Sequence, residues 1–291
     1  MGCKITVKVH PEGSEAKVSP YTRFLKSLES PRFFPRKKLR GDLNRTIKVH
    51  PQRHFSQSVY TSPSRGSLWI GINQYPHWEH LDSATKDASS LADIFMNMGY
   101  NTTLLLDEKA TLSNIQNELE KCERMFDVFV VGFFGHGIHV PGIGGMFATY
   151  DSKKNKDAFD KLHASHLRTM SVRSNATSGL FILDFCYSGS FLIDETKKRG
   201  SWQEKLSCEK SRMVLTSGLH NQRVDDGENH SPFTSALIDS LKNKKDDDQH
   251  SVIELYINIR TSLMASSSTL SVPKLGRFPG DGGGDIFIKT T

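Results

Sequence analysis

Short apolar runs alternate with amphipathic stretches along most of the chain after residue 66. The apolar runs predict six buried strands, at 68–72, 103–106, 128–134, 180–183, 213–215 and 285–288. Elsewhere apolar residues recur every three or four positions, which predicts helices at 84–95, 111–124, 232–241 and 252–263. Gly99 stands just beyond the first of these helices, at a place where glycine commonly ends a helix.

The order of these elements indicates the fold class. Strands that alternate with helices favour a parallel sheet, and runs that are apolar at every position favour strands buried on both faces. The pattern therefore predicts a doubly wound α/β domain over residues 67–291, with helices on both faces of its sheet. A span of 225 residues is long enough to bury the core of one large domain.

Residues 1–66 have a different character. Pro, Ser, Arg and Lys dominate this segment, and the basic run at 35–40 has no apolar periodicity around it. A segment with few apolar residues cannot bury enough surface to offset the entropy of ordering. We therefore expect a basic, largely disordered leader or pro-segment here.

The charge of the chain is unevenly divided between these two parts. There are 38 Lys and Arg against 32 Asp and Glu, a formal net charge of +6. Residues 1–66 hold 14 of the basic and 4 of the acidic side chains, a net of +10, so the remainder carries 24 against 28, a net of −4. Because a nucleic-acid-binding domain needs basic residues on its folded surface, we expect no nucleic-acid partner.

The cellular compartment is suggested by what the sequence lacks. It has no run of eighteen consecutive apolar residues, and no apolar signal-peptide region stands near residue 1. The four cysteines are far apart and form no CxxC pair, which argues against a disulfide scaffold or a zinc ribbon. These features predict a cytoplasmic protein that does not depend on disulfides.

Two of the predicted strands end on residues with reactive side chains. The strand at 128–134 runs into a Gly-His-Gly motif that contains His136, and the strand at 180–183 runs into the segment that contains Cys186. If these strands are neighbours, both side chains emerge at the carboxyl edge of the sheet, where functional groups gather. A thiol beside an imidazole is the minimal apparatus for nucleophilic acyl transfer, because the thiolate attacks and a base must generate it. The backbone N–H groups of Gly137 and Cys186 are then candidates for an oxyanion hole.

Two plainer interpretations of these residues stay open on spacing alone. A single cysteine at the end of a strand is commonly a small buried apolar residue. His136 and His139 are three residues apart, a spacing that also occurs in metal sites. No acidic residue or cysteine stands at ligand spacing from them, so we predict no metal and no required cofactor.

The motifs resemble those of the caspase-like cysteine peptidases, and most closely those of the metacaspase and bacterial caspase-like branch. The Gly-His-Gly motif at 135–137 is similar to the family's histidine motif, and DFCYSG at 184–189 is similar to its cysteine motif. Further similar segments, in the same order along about 220 residues, lie at 70–75, 81–88, 216–217 and 231–237. The resemblance implies a mostly parallel six-stranded sheet, with His136 as the general base and Cys186 as the nucleophile.

The resemblance also implies a substrate preference. Asp87 and Asp184 match positions that line the primary specificity pocket of metacaspases. Carboxylates in a concave pocket attract a Lys or Arg side chain, and a guanidinium can donate two hydrogen bonds to one of them. We therefore expect cleavage after Arg or Lys and not after Asp. The plainer interpretation of Asp87 is an ordinary carboxylate on the surface of a helix.

The chain departs from the metacaspase pattern at two places. Tyr187 directly follows the expected nucleophile, where many metacaspases have His, although Tyr occurs there in caspase-like relatives. The segment 142–151, where the family's calcium-binding acidic cluster is expected, holds one carboxylate, that of Asp151. Because calcium takes several oxygen ligands, we predict weak or absent calcium dependence.

A polar stretch at 191–212 contains the basic tripeptide Lys197, Lys198 and Arg199. The resemblance places the linker between the large and small portions of the peptidase here, and cleavage of that linker can accompany activation in the family. For a peptidase that prefers basic residues, the tripeptide is a candidate site of self-processing, which would make the chain a zymogen. A solvated charged loop is the alternative.

The leader has three competing interpretations. It is a pro-segment trimmed near Arg40 or Arg65, an arm that binds an acidic partner, or a membrane tether. The tether is suggested by the start Met-Gly-Cys, which fits the pattern for acylation of Gly2 with Cys3 available for a second chain. One acyl chain alone gives only marginal membrane binding, so we expect a membrane partner only if these residues are acylated.

Together these observations predict a cysteine endopeptidase that cleaves proteins or peptides at basic residues and works as a monomer rather than a dimer. The first alternative is a catalytically silent caspase-like interaction module, which the presence of both reactive side chains disfavours. The second is a different Cys/His hydrolase on an α/β sheet, such as an amidase.

Overall fold

A computed structural model describes residues 63–155, 159–192, 210–218, 229–243, 249–265 and 272–289 of the chain. These residues belong to one compact unit, Thr61–Thr291. The leader up to residue 62 and the basic tripeptide Lys197, Lys198 and Arg199 lie outside the described residues.

The described residues form strands and helices with the following bounds. The strands, in chain order, are β1 (Arg65–Gly71), β2 (Asn101–Leu106), β3 (Val128–Phe134), β4 (Gly137–Val140), β5 (Gly144–Phe147), β6 (Leu162–His163), β7 (Ser178–Asp184), β8 (Ser211–Thr216), β9 (Gln249–Ser251), β10 (Lys274–Arg277) and β11 (Phe287–Lys289). The helices are α1 (Ala84–Asn97), α2 (Leu112–Met125), α3 (Ala164–Arg173), α4 (Pro232–Lys242) and α5 (Val252–Ala265).

The main sheet has six strands in the order β10-β8-β7-β3-β1-β2. All neighbouring strands in it are parallel except β10, which pairs antiparallel with β8. The predicted mostly parallel, doubly wound sheet is therefore confirmed. After β1 the chain first adds β2 on one side and later adds β3 on the other, and such a reversal opens a crevice at the carboxyl ends of the strands.

Helices cover both faces of this sheet because side chains of each strand alternate in direction. Trp69 of β1 packs with α1, α4 and α5 on one face, whereas its neighbours Leu68 and Ile70 pack with α2 and α3 on the other. All three side chains are fully buried. The two hydrophobic layers fix both the strand register and the positions of the loops at the sheet edge.

Some elements differ from the sequence-based expectation. The predicted strand at 285–288 is present as β11, but it pairs with β9 in a separate two-stranded sheet. The sixth strand of the main sheet is instead β10, whose sequence Lys-Leu-Gly-Arg contains one large apolar residue and lacks a strand signal. Helix α3 and the small sheet β4-β5-β6 were also not predicted.

The ends of the predicted processing loop at 191–212 belong to the folded structure. Phe191 is fully buried at the end of a 3₁₀ turn, and β8 begins at Ser211. Arg212 is also fully buried, and its guanidinium donates hydrogen bonds to the backbone carbonyls of Ser171 at 3.0 Å and Ala176 at 2.6 Å. These end residues are therefore part of the folded domain. Arg212 is a structural residue that holds the connection from α3 to β7.

Candidate active site

His136 and Cys186 follow two strands that are direct neighbours in the sheet. The register of β3 and β7 pairs Phe134 with Asp184, and each reactive residue lies two positions beyond this pair. Both residues are half-buried. The structure therefore brings the two motifs to the same carboxyl edge, as the sequence argument required.

Residues of the connection between β1 and α1 contact the His136 ring. The Nε2 atom of His136 lies 2.7 Å from the backbone carbonyl oxygen of Glu79. The indole of Trp78 stacks on the imidazole, with ring centroids 5.6 Å apart and planes inclined by 24°. Because a carbonyl oxygen can only accept, Nε2 carries the proton of this bond. In the neutral ring, Nδ1 is then the nitrogen that carries the in-plane lone pair.

A buried phenol fixes the backbone of the histidine motif. The hydroxyl of Tyr75 accepts a hydrogen bond from the His136 N–H at 3.0 Å and donates one to the carbonyl of Ala148 at 3.2 Å. Burial raises the pKa of Tyr75 far above its usual value, so the phenol stays neutral at physiological pH. Tyr75 therefore joins the β1–α1 connection, the histidine motif and the end of β5.

Residues of two further stretches, 148–155 and 159–161, support Trp78 and Glu79 from outside. The indole N–H of Trp78 donates to the carbonyl of Ser152 at 3.0 Å, and the ammonium of Lys161 lies 5.9 Å from the indole centroid. The fully buried Lys161 side chain also pairs with Asp160 at 2.6 Å. At the surface, an ion pair with Lys154 lowers the pKa of Glu79. These contacts hold the indole against the His136 ring.

The loop after β7 carries Cys186 in a strained turn. Tyr187 has a left-handed backbone with φ of +61°, which costs a non-glycine residue of this kind about 1 kcal/mol. The next N–H, that of Ser188, donates to the carbonyl of Phe185 at 3.1 Å and starts a 3₁₀ turn. This backbone presents Cys186 at the tip of the strand–turn connection.

Gly137 lies at the closest approach of the two motifs. A Cβ atom at this position would overlap the carbonyl oxygen of Cys186 and the ring of Phe185. That ring packs in turn on Phe147 and Phe191, with centroids 5.3 and 5.2 Å apart. A side chain at position 137 would therefore push the histidine and cysteine loops apart.

The two acidic residues proposed for specificity also come together, through the start of α4. Asp184 ends β7 and Asp87 lies in the first turn of α1, and their exposed fractions are 6% and 1%. The backbone N–H of Ser231 donates to Asp87 Oδ2 at 3.3 Å, and the Ser231 hydroxyl bonds to Asp184 Oδ2. Thr234 adds a hydroxyl at 2.9 Å to the same oxygen of Asp184.

One further contact of the pair involves a histidine. His230 Nδ1 lies 2.6 Å from Asp87 Oδ1. Ser231 is also the N-cap of α4, where its hydroxyl accepts from the Thr234 N–H at 3.0 Å, and Pro232 stands at the first helical position. The start of α4 thus holds both carboxylates.

Comparison with known proteins shows to which family this chain is related. The family model for the caspase domain matches residues 65–278. The chain belongs to the caspase domain family. This is a family of cysteine peptidases, which implies protein substrates, and the resemblance deduced from the sequence motifs is confirmed. No significant match was found among curated proteins.

Solved structures show the same caspase fold. Protein GSU0716 from Geobacter sulfurreducens superimposes with a TM-score of 0.57 at 18% identity, over 74% of this chain and 94% of that chain. Caspase-1 from Spodoptera frugiperda superimposes with a TM-score of 0.53 at 11% identity, over 74% of this chain and 87% of that chain. These identities are low, so the two structures support the caspase fold and no finer conclusion.

Among the described residues, no group of three His, Cys, Asp or Glu side chains is arranged to hold a metal ion. His139 is exposed on β4. No helix in the described ranges is long and apolar enough to cross a membrane.

Four residues that contribute to the candidate site were not assigned to it from the sequence. Glu79 acts through its backbone carbonyl, which leaves no trace in a side-chain pattern. Trp78 lies in a polar loop, where no periodic pattern indicates a role. His230 and Ser231 had one usable signal, because a serine before proline at the start of an apolar run is typical of a helix N-terminus.

Proposed function

We propose that this caspase-family chain is a cysteine endopeptidase in which Cys186 is the nucleophile and His136 the general base. The observation that carries the proposal is the pairing of β3 with β7, which brings both motifs to one edge of the sheet. The close packing of Gly137 on the Cys186 carbonyl supports it, because it shows that the histidine and cysteine motifs are in direct contact.

We assign roles to the two imidazole nitrogens from the hydrogen bond to Glu79. Nε2–H donates to the backbone carbonyl, so Nδ1 is the atom that takes the thiol proton. A carbonyl orients the ring and favours the imidazolium that forms during the reaction, without the cost of burying another charge. Trp78 and Tyr75 restrict the ring and the backbone beside it.

The reaction proceeds by acyl transfer to sulfur. Nδ1 of His136 removes the proton from Cys186 Sγ, and the thiolate attacks the carbonyl carbon of the scissile bond. The C–S bond forms as the carbonyl oxygen becomes an oxyanion, which the backbone N–H groups of Gly137 and Cys186 stabilise. The C–N bond then breaks, and the leaving amine takes the proton from the imidazolium.

Hydrolysis of the thioester completes the cycle. His136 removes a proton from a water molecule, whose oxygen attacks the acyl carbon. Collapse of this second intermediate breaks the C–S bond, and the sulfur regains its proton from the imidazolium. The products are a carboxylic acid and the free thiol, so no cofactor or metal is needed, and calcium is proposed to be dispensable.

The acidic pair, Asp87 and Asp184, is proposed to select Arg or Lys at the cleavage site. Two carboxylates joined through Ser231 concentrate negative charge beside the end of β7, two residues before the nucleophile. A guanidinium or ammonium is the natural counter-charge for such a pair. The same preference makes Lys197, Lys198 and Arg199 candidate sites of self-processing. The active unit is proposed to be a monomer in the cytoplasm, with a membrane tether only if Gly2 and Cys3 are acylated.

Peptide hydrolysis tests the proposal. A peptide that releases a fluorophore after Arg should be hydrolysed by the chain and not by Cys186→Ala or His136→Ala, with or without calcium. A matched peptide ending in Asp should be inert. If neither peptide is hydrolysed, even after limited proteolysis, the chain is better described as a silent interaction module. Activity that survives Cys186→Ala would mean that the nucleophile is another residue.

A further inference from the structure

The imidazole of His230 covers the carboxylate of Asp87. Its Nδ1 lies 2.6 Å from Asp87 Oδ1, and 27% of the His230 side chain is exposed against 2% of the Asp87 side chain. An ionised carboxylate only accepts hydrogen bonds, so Nδ1 is the donor. Oδ1 of Asp87 is thus already hydrogen-bonded to an imidazole of the chain itself.

We infer that His230 is a resident ligand of the acidic pair, which the basic side chain of a substrate must displace from Asp87. His230 then weakens the binding of Arg and Lys substrates and is a specificity-determining residue. This inference rests on the proposed function, since it requires Asp87 to receive the basic side chain.

The chemistry of the two ligands favours such an exchange. An imidazole offers one N–H from Nδ1, whereas a guanidinium presents a fork of donors that bonds both oxygens of a carboxylate. The other oxygen of Asp87 is held by the Ser231 N–H at 3.3 Å, so the carboxylate keeps a backbone partner when the imidazole leaves. The exchange therefore never leaves Asp87 buried without a donor.

The structure also provides space for the displaced ring. His230 lines a cavity of about 460 Å³ beside α1, together with Thr85, Lys86, Asp93 and Asn229. This cavity is large enough for an imidazole, and most of the side chains that line it are polar. His230 precedes the N-cap of α4, so rotation of its side chain does not require the helix to move.

The two carboxylates differ in how they are covered. Asp184 is bound by the hydroxyls of Ser231 and Thr234. Ser231 is the N-cap of α4 and Thr234 lies in its first turn, so the helix holds both residues in place. Asp87 is bound by His230, which lies outside that helix. Among these contacts, the His230 imidazole is the one that can leave without unwinding a turn of α4.

Steady-state kinetics with two matched peptides tests the inference. One peptide ends in Arg and the other in citrulline, which has the same shape without the charge. In His230→Ala the KM of the Arg peptide should fall roughly three- to tenfold, the range expected for removing one competing hydrogen bond of ordinary net strength, with kcat changed by less than about twofold. The KM of the citrulline peptide should stay constant. His166→Ala, which removes an exposed imidazole from α3, is the matched control and should alter neither value.

The alternatives give different results. An unchanged or higher KM for the Arg peptide in His230→Ala, while the wild-type chain prefers Arg, would overturn this inference alone and make His230 a support for Asp87. A wild-type chain that hydrolyses neither peptide would overturn the proposed function and this inference with it. His230→Gln keeps an N–H donor and serves as a second variant if His230→Ala does not fold. Its KM for the Arg peptide should lie below that of the wild type, by less than the three- to tenfold fall expected for His230→Ala.

Discussion

The Nε2 atom of His136 bonds to a backbone carbonyl, that of Glu79, and not to a carboxylate. A carbonyl oxygen cannot take up a proton, so this contact fixes one tautomer of the neutral ring at every pH where the ring is neutral. We expect ¹⁵N spectra of the histidine-labelled chain to show the Nε2–H tautomer for His136. A predominant Nδ1–H form would contradict the assignment of Nδ1 as the base.

The indole of Trp78 should matter for turnover more than for substrate binding. Trp78→Ala removes the ring that stacks on His136 at 5.6 Å, so the imidazole gains freedom to leave its productive position. We expect kcat to fall by roughly tenfold to a hundredfold with little change in KM, as for other misplaced catalytic groups. Trp78→Phe keeps an aromatic face and should lose much less. Equal losses in the two variants would show that the stacking contact is unimportant.

Gly137→Ala should lower kcat strongly and reduce the free energy of unfolding only moderately. The added methyl group overlaps the Cys186 carbonyl and the Phe185 ring, so the two loops must separate. We expect a loss of about 1–3 kcal/mol in the free energy of unfolding, as for an overpacked core, and a fall in kcat of roughly a hundredfold or more. Chemical denaturation and peptide hydrolysis measure the two effects. A fully active Gly137→Ala chain would contradict the proposed oxyanion site.

The two described cysteines should differ in reactivity. Burial raises the pKa of Cys122 to about 12, so at pH 8 only about one molecule in ten thousand carries a thiolate there. Cys186 is half-buried at the edge of the sheet. Under native conditions iodoacetamide should therefore modify Cys186 well before Cys122, which peptide mass spectrometry resolves. The two sites should react equally after denaturation in urea, and equal rates in the native chain would refute the prediction.

Arg212 should be needed for stability and not for catalysis. Its buried guanidinium donates to several backbone carbonyls around the α3–β7 connection, and lysine cannot match that fork. We expect Arg212→Lys to lower the free energy of unfolding by about 2–4 kcal/mol, because buried carbonyls lose their donors. Arg260→Lys, an exposed change on α5, is the control and should cost less than about 0.5 kcal/mol. The folded fraction of Arg212→Lys should retain normal kcat.

The sequence predicted the parts of the fold that local pattern determines. Strands β1, β3 and β7 are apolar at nearly every position because both of their faces are covered, and that pattern is visible in one dimension. The edge strand β10 has no such requirement, so its sequence resembles a loop. The terminal strand was predicted, but its partner β9 depends on tertiary packing that no local pattern specifies.

The candidate site also contains residues that a local pattern indicates and contacts that depend on tertiary packing. His136 and Cys186 were proposed because each follows a buried strand and lies in a motif that resembles those of the caspase-like peptidases, and the structure shows that β3 and β7 are neighbours. The contacts of Asp87 with His230 and Ser231 span more than 140 positions of the chain, and periodicity carries no information over that range. The carbonyl of Glu79 could not be predicted, because any residue at that position supplies the same oxygen.

The pairing of β7 with β8 has a consequence for any cut in the segment between them. These strands lie side by side in the middle of the sheet and pair from Ser178 to Leu183. A chain nicked between residues 193 and 209 would be two polypeptides that meet along the β7–β8 pair, and the backbone hydrogen bonds of that pair would join them in one sheet. It would elute as a single particle in native size-exclusion chromatography and run as two bands in denaturing electrophoresis. A single elution peak therefore does not show whether the chain has been cleaved.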